Sequence, residues 1–269
     1  DIRGDIALND QVLRVRPLTF RSAQGQAEGS LSLDARSTPS YPLSIVASVK
    51  NMDISGLFSE FRNFGQQFIT DRHLKGRSDV RLTLTAQLSP ALTLDQQSLH
   101  CVADVSIRDG ELNDHAPMMA VADYVRTNKL ISPFVDTDEL KQRLTHVRFA
   151  SLQNQIEVKD RTVHVPTMLV KSSAMDIEVS AAQGFNGEVD DHLNFRLNEL
   201  FRKQAPEDEF GPVIDDGTGL RVFLHMYGTT SDLHFKNDGA AASARRQQKF
   251  KQETAELKNI LSDMWHGRP

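Results

Sequence analysis

The sequence predicts a mainly β protein: a long antiparallel meander with accessory helices and a helical C-terminal tail. Three observations predict it. Stretches of strand length alternate apolar and polar residues, most clearly over residues 156–197. A period of two puts the apolar side chains of a strand on one face of a sheet. Small polar turns such as Lys159-Asp160-Arg161 separate the stretches, and turns that tight join antiparallel neighbours. In a few segments the apolar spacing changes to three and four, which marks helices.

Along the chain, Ile6 and Leu8 lead to an Asn9-Asp10 turn. Leu13 and Val15 follow, and Leu18 and Phe20 continue on shifted phase beyond Pro17. Gln24-Gly25 turns into Ala27, Gly29, Leu31 and Leu33. A Ser- and Pro-rich turn over 37–42 precedes Leu43, Ile45, Ala47 and Val49. From Ser55, the positions of Leu57, Phe58, Phe61, Phe64 and Phe68 predict an amphipathic helix. It reads either as a helix packed over the sheet end or as a lid that touches lipid. Val80, Leu82, Leu84, Ala86 and Leu88 resume the strand rhythm; Pro90 breaks it before Leu92 and Leu94. Residues 99–107 read as a strand ending in an Arg108-Asp109-Gly110 turn, Asp-Gly being a favoured hairpin signal.

Pro117 suits a helix start, with Met118, Val121, Ala122, Val125 and Leu130 on the apolar side. A second helix begins at Thr137, carries Leu140 and Leu144, and has Asp138 and Glu139 at its positive end. The meander returns from Val147 and runs through Ile156 and Val158, then Val163 and Val165, then Pro166, Met168 and Val170. Met175, Ile177 and Val179 follow, and beyond Gly184 and Gly187 come Val189, Leu193, Phe195 and Leu197. After a polar loop over 202–209, Asp215-Asp216-Gly217 turns into Leu220, Val222, Leu224 and Met226. A loop over 228–231 closes the last hairpin to Leu233 and Phe235. From Ala240 the pattern is helical, with sparse anchors at Phe250, Leu257, Ile260, Leu261, Met264 and Trp265. The organisation expected is a β domain over 1–239, helices inserted near 55–70 and 117–145, and a tail over 240–269.

A length of 269 residues suffices for one large β domain or two small ones. A net charge of −5 with scattered basic residues argues against a nucleic-acid partner. The single cysteine, Cys101, allows no intramolecular disulfide, so the redox compartment is not legible. Beside Val102 in an apolar strand, it reads as a structural thiol rather than a nucleophile. No apolar run approaches the ~18–20 residues that span a bilayer, and no signal peptide is evident. The opening Asp1-Ile2-Arg3-Gly4 is already strand-like, as expected of a fragment that starts mid-domain.

The search for chemistry is negative. Gly217-Thr218-Gly219 is too short for a Walker A loop and lacks its lysine. There is no Gly-x-Ser-x-Gly elbow, and the nine histidines show no His-x-x-x-His spacing. If 228–231 is a four-residue loop, His225 faces His234 across the hairpin at about 5 Å. With no third ligand to name, the pair reads as two solvent-facing imidazoles. Asp215-Asp216 and Asp190-Asp191 read as acidic turns, because calcium loops need oxygen ligands at alternating positions. Carboxylates paired for glycoside hydrolysis are set by spatial distance, and nothing here points to them. No catalytic residue, metal or cofactor is expected.

The run Val147-Arg148-Phe149-Ala150-Ser151-Leu152, followed by residues 156–166 ending in Val163-His164-Val165-Pro166, resembles the C-terminal region of AsmA-like envelope proteins. Residues 168–173 and 177–181, Gly184 and a terminal alternating strand continue the likeness. Asp53-Ile54-Ser55-Gly56-Leu57-Phe58 with Phe61 and Phe64-Gly65-Gln66 also resembles that family, as does Ile107-Arg108-Asp109-Gly110-Glu111-Leu112 before Pro117-Met118. The likeness covers roughly residues 45–235. It departs from the family in having no N-terminal membrane helix. The resemblance implies a β-taco-like sheet curled into an open groove, whose concave face carries phospholipid acyl chains between the membranes of a Gram-negative envelope. It also implies a periplasmic location, anchorage to the inner membrane through a missing N-terminal segment, and envelope protein partners.

The groove lining expected on that basis is Leu82, Leu84, Val105, Ile107, Ile156, Val158, Val163, Val165, Ile177, Val179, Leu193, Phe195, Leu197, Val222 and Leu224. The competing reading is that these residues form a closed core. A structural or assembly scaffold, using the sheet edges and the charged segment 245–258, is the alternative function. A carbohydrate-active enzyme is a third and would need acids or histidines clustered in a cleft.

Overall fold

Twelve strands form one antiparallel sheet whose spatial order is the sequence order. They are β1 (Ile2–Asn9), β2 (Val12–Ser22), β3 (Gly25–Asp34), β4 (Tyr41–Asp53), β5 (Leu74–Leu88) and β6 (Leu94–Asn113). The second half comprises β7 (His146–Lys159), β8 (Thr162–Val170), β9 (Ile177–Gly184), β10 (Glu188–Arg196), β11 (Arg221–Thr229) and β12 (Asp232–Asn237). This computed structural model describes residues 2–36, 38–65, 68–129, 131–201, 221–245 and 247. The expectations placed on Gln66, Leu130, residues 202–220, the tail anchors from Phe250 to Trp265 and nearly all of 245–258 lie outside the described residues. The fold is therefore mainly β and open: among the described residues β1 pairs only with β2, and β12 only with β11.

Local chemistry explains the hairpins. Asp10 and Gln11, Ala23 and Gln24, and Asp160 and Arg161 form two-residue turns with φ between 41° and 62°. That left-handed pair matches the twist of the flanking strands. Bulges interrupt the registers, for example between Val15 and Leu18 beside Pro17, and between Val165 and Met168 beside Pro166. Each bends its strand and preserves the apolar face beyond a phase shift.

Three expectations are corrected here. Asp109-Gly110 is not a hairpin: β6 runs through it, and the register steps from Arg77 opposite Arg108 to Lys75 opposite Glu111. Alternation resumes at Leu112, which pairs with Leu74 and Val147, so the extra residue is absorbed as a bulge with Asp109 at φ 49°. The last hairpin turns on Thr230-Ser231, with Thr229 opposite Asp232. His225 therefore faces Lys236, and Tyr227 faces His234. The phenylalanine-rich helix is shorter than its pattern: α1 spans Ile54–Glu60 and gives way to a 3-10 turn over Arg62–Gly65. Arg62, Asn63 and Phe64 all adopt positive φ, which ends the helix. Phe58 packs into a small cluster with Ile54, Ile107 and Phe149, while Phe61 and Phe64 stack 5.5 Å apart and stay exposed.

Helices α2 (Ala116–Thr127) and α3 (Thr137–Thr145) are inserted between β6 and β7. Pro117 sits in the first turn of α2. The Asp136 carboxylate caps α3 by accepting from the Asp138 and Glu139 N–H groups at 3.2 and 3.0 Å. Their apolar sides close over the second half of the sheet. Val121, Val125, Leu140 and Leu144 are fully buried with Ile177, Leu193, Phe195 and Leu224 in the main core. Burying each such side chain is worth about 1.5–3 kcal/mol. Arg143 of α3 is buried too, and its guanidinium donates to the carbonyls of Ala174 and Leu200, each at 3.1 Å.

Candidate functional site: the apolar face of the sheet

Register places the apolar alternation of eight successive strands on one face. One row runs Ile6, Val15, Leu31, Ile45, Leu84, Cys101, Val158 and Val163. Beside it lies Leu18, Gly29, Ala47, Leu82, Ala103 and Ile156, and beyond that Phe20, Ala27, Val49, Val80, Val105 and Asn154. The middle row holds three of the smallest side chains, so its floor is lower than the leucine, valine and isoleucine rows around it. At about 4.8 Å between strands, the eight-strand row is about 34 Å long. Helix α1 packs at one margin of these rows, where Val105 meets the cluster of Ile54, Phe58, Ile107 and Phe149. Leu82, Leu84, Ile156, Val158, Val163 and Val165 are only half-buried on this face, while Val105 packs against the α1 cluster.

The other expected lining residues are not in an open groove. Ile177, Leu193, Phe195 and Leu224 belong to the closed core beneath α2 and α3, and Val179, Leu197 and Val222 pack against it. Leu197 has also left the strand, since β10 ends at Arg196 and a 3-10 turn follows. Ile107 is buried in the cluster at the α1 end. For these eight residues the closed-core reading holds. Alternation reports that a side chain faces the apolar side; it does not report whether a helix 50 residues away will cover it. The row members Val15, Leu18, Phe20, Leu31, Ile45, Val49 and Val80 were not singled out, although their alternation carries the same signal.

Asp191 brings a carboxyl group into the covered half. Asp190 and Asp191 lie within β10 rather than in a turn, on opposite faces. Asp191 faces Met226 and Ala181 and is 4% exposed, with its Oδ2 accepting from Gln183 at 3.3 Å. Burial pushes its pKa up to about 7, partly offset by the Gln183 amide.

The opposite face is polar and carries the titratable groups. His192 and His225 sit opposite each other on β10 and β11, their rings stacked with centroids 4.6 Å apart and planes within 9°. Nε2 of His225 contacts the Asp190 carboxylate, and Nε2 of His192 lies 3.9 Å from the same oxygen. Nδ1 of His192 is 2.5 Å from Oδ2 of the buried Asp238. Burial alone would raise the Asp238 pKa, but the Ala241 N–H and His192 more than offset it and hold the carboxyl below its ordinary value. His100 pairs separately with Glu157 at 2.9 Å. Cys101 is half-buried on the apolar face, and burial pushes its thiol up, away from nucleophilic use.

A hollow of about 700 Å³ also lies against the polar face, over β2 to β6. Glu28, Arg81 and Asp104 line it together with Pro17, Val46 and Val102, and seating a hydrocarbon there would cost the desolvation of those charged groups. Among the described residues no helix is long and apolar enough to cross a membrane. Comparison of the chain with family models, with curated proteins and with solved structures finds no match.

Proposed function

We propose that this chain carries phospholipid acyl chains along the uncovered apolar strip of β1 to β8, as a non-enzymatic component of a Gram-negative envelope. The observation that carries the reading is the continuity of the apolar rows from strand to strand, with α1 packed at the margin near Val105. A sixteen-carbon tail exposed to water costs about 12 kcal/mol at ~0.8 kcal/mol per methylene, and only a continuous apolar surface relieves that. The strip, about 34 Å long, exceeds the ~30 Å hydrocarbon thickness of a bilayer. Head groups stay in water in this reading. Transport is passive in this reading, with any energy supplied by a partner. The resemblance to AsmA-like proteins adds the periplasmic location and the inner-membrane anchor.

The test separates the open strip from the closed core. Native mass spectrometry of the purified wild type is expected to find bound phospholipid, and Leu84→Asp with Val158→Asp is expected to fold and to lose it. Phe195→Asp is expected to unfold, because it buries an unpaired carboxylate. Undiminished lipid on the Leu84/Val158 variant rejects the proposal.

One observation favours the scaffold alternative. β1 is exposed along its whole length, with Ile2, Ile6 and Leu8 at 77, 72 and 68%. A free apolar edge strand is a template for strand addition by another chain. Cross-linking through β1 to an envelope protein, with no lipid on either, would favour that role.

A further inference from the structure

We propose that Asp190, His192 and His225 bind a divalent transition-metal ion, Zn²⁺ in the first instance, on the polar face of β10 and β11. The donor atoms of these three side chains lie within 4.8 Å of one another. Bonds of 2.0–2.2 Å in tetrahedral array require donors about 3.3–3.5 Å apart. Asp190 is solvent-exposed and free to close that difference by rotation. Two imidazoles and one carboxylate suit zinc and its late first-row neighbours, and disfavour magnesium and calcium, which take oxygen donors.

Two features mark the cluster as more than an exposed ion pair. Both imidazoles place Nε2 near the same Asp190 oxygen, in contact for His225 and at 3.9 Å for His192; their planes are near-parallel, so joint ligation requires one ring to rotate toward the other. Behind them the Asp238 carboxylate is held on two sides. Its Oδ1 accepts from the Ala241 N–H at 2.9 Å, and its Oδ2 accepts from Nδ1–H of His192. A carboxylate on the far nitrogen fixes the tautomer that leaves Nε2 unprotonated, the arrangement that orients histidine ligands toward a metal. The fourth coordination position faces solvent and is open to water or to a ligand of the ion. The site is on the face away from the apolar strip, so it stands or falls independently of the lipid reading.

Zn²⁺ alone is the probe, titrated into the chelator-treated full chain by calorimetry and by NMR of the imidazole resonances. The expected result is one saturable site, with the His192 and His225 resonances shifting together. His225→Ala is expected to weaken binding at least tenfold, and Asp238→Asn by about 10–100-fold. His100→Ala, on the same face but paired with Glu157, is expected to leave it unchanged. Absence of saturable binding, or binding that leaves the His192 and His225 resonances unmoved, overturns the proposal. The NMR measurement on the wild type decides the matter even where a variant fails to fold.

Discussion

Asp191 and His115 are buried ionisable side chains whose protonation opposes each other's influence on stability. Asp191 binds its proton up to about pH 7 in the folded protein, against roughly 3.9 unfolded. The native state therefore holds the extra proton between those values, and stability falls as pH rises through them. His115 is 6% exposed, and burial, with the nearby His73, lowers its pKa to about 4. Here the unfolded chain holds the extra proton between about 4 and 6.5, so stability rises with pH over that window. The two slopes cancel in part in the wild type. Asp191→Asn is expected to leave a protein that gains stability from about pH 4 to 6.5, and His115→Gln one that loses it from about 4 to 7. Urea midpoints across that range check this; two variants with the wild-type profile would refute it.

At the level of elements, the join between α3 and the sheet rests on Arg143. Its fork reaches carbonyls of the β8–β9 loop and of the turn after β10. Arg143→Leu strips buried carbonyls of a charged donor and is expected to cost about 2–3 kcal/mol. Arg143→Lys should recover only part of that, lacking the planar fork. Equilibrium denaturation measures both, and a loss below about 0.5 kcal/mol for the leucine variant would place the clamp among incidental contacts. Gly110→Ala is a sharper case, since its new Cβ would lie 2.1 Å from the Phe149 ring. What was legible in the sequence divides along the same line. Strands and two-residue turns depend on neighbours a few positions away, so alternation and turn residues revealed them. The bulge at Asp109 was not legible, because Asp-Gly serves a hairpin and a bulge equally well. Nor was the covering of Leu193 and Phe195, since an amphipathic helix announces that it will pack but not upon which strands. The pairing of His192 with His225 depends on the β10–β11 register across a long connection, which no local pattern carries.

Over the whole molecule the apolar face is asymmetric: sealed by α2 and α3 toward β12, bare toward β1. An exposed edge strand of this kind is expected to let the wild type pair with itself. Ile6→Lys, a charge on an edge strand, is expected to shift the population toward monomer by light scattering without loss of melting temperature. An unchanged size distribution would show that β1 is not the contact. The sequential strand order has another consequence. Because each strand bonds only to the strands before and after it in the chain, a hairpin duplicated or deleted between β1 and β6 needs no rewiring elsewhere. Each such event would lengthen or shorten the ribbon by about 10 Å, so reach is a quantity that evolution or an engineer can adjust in whole hairpins.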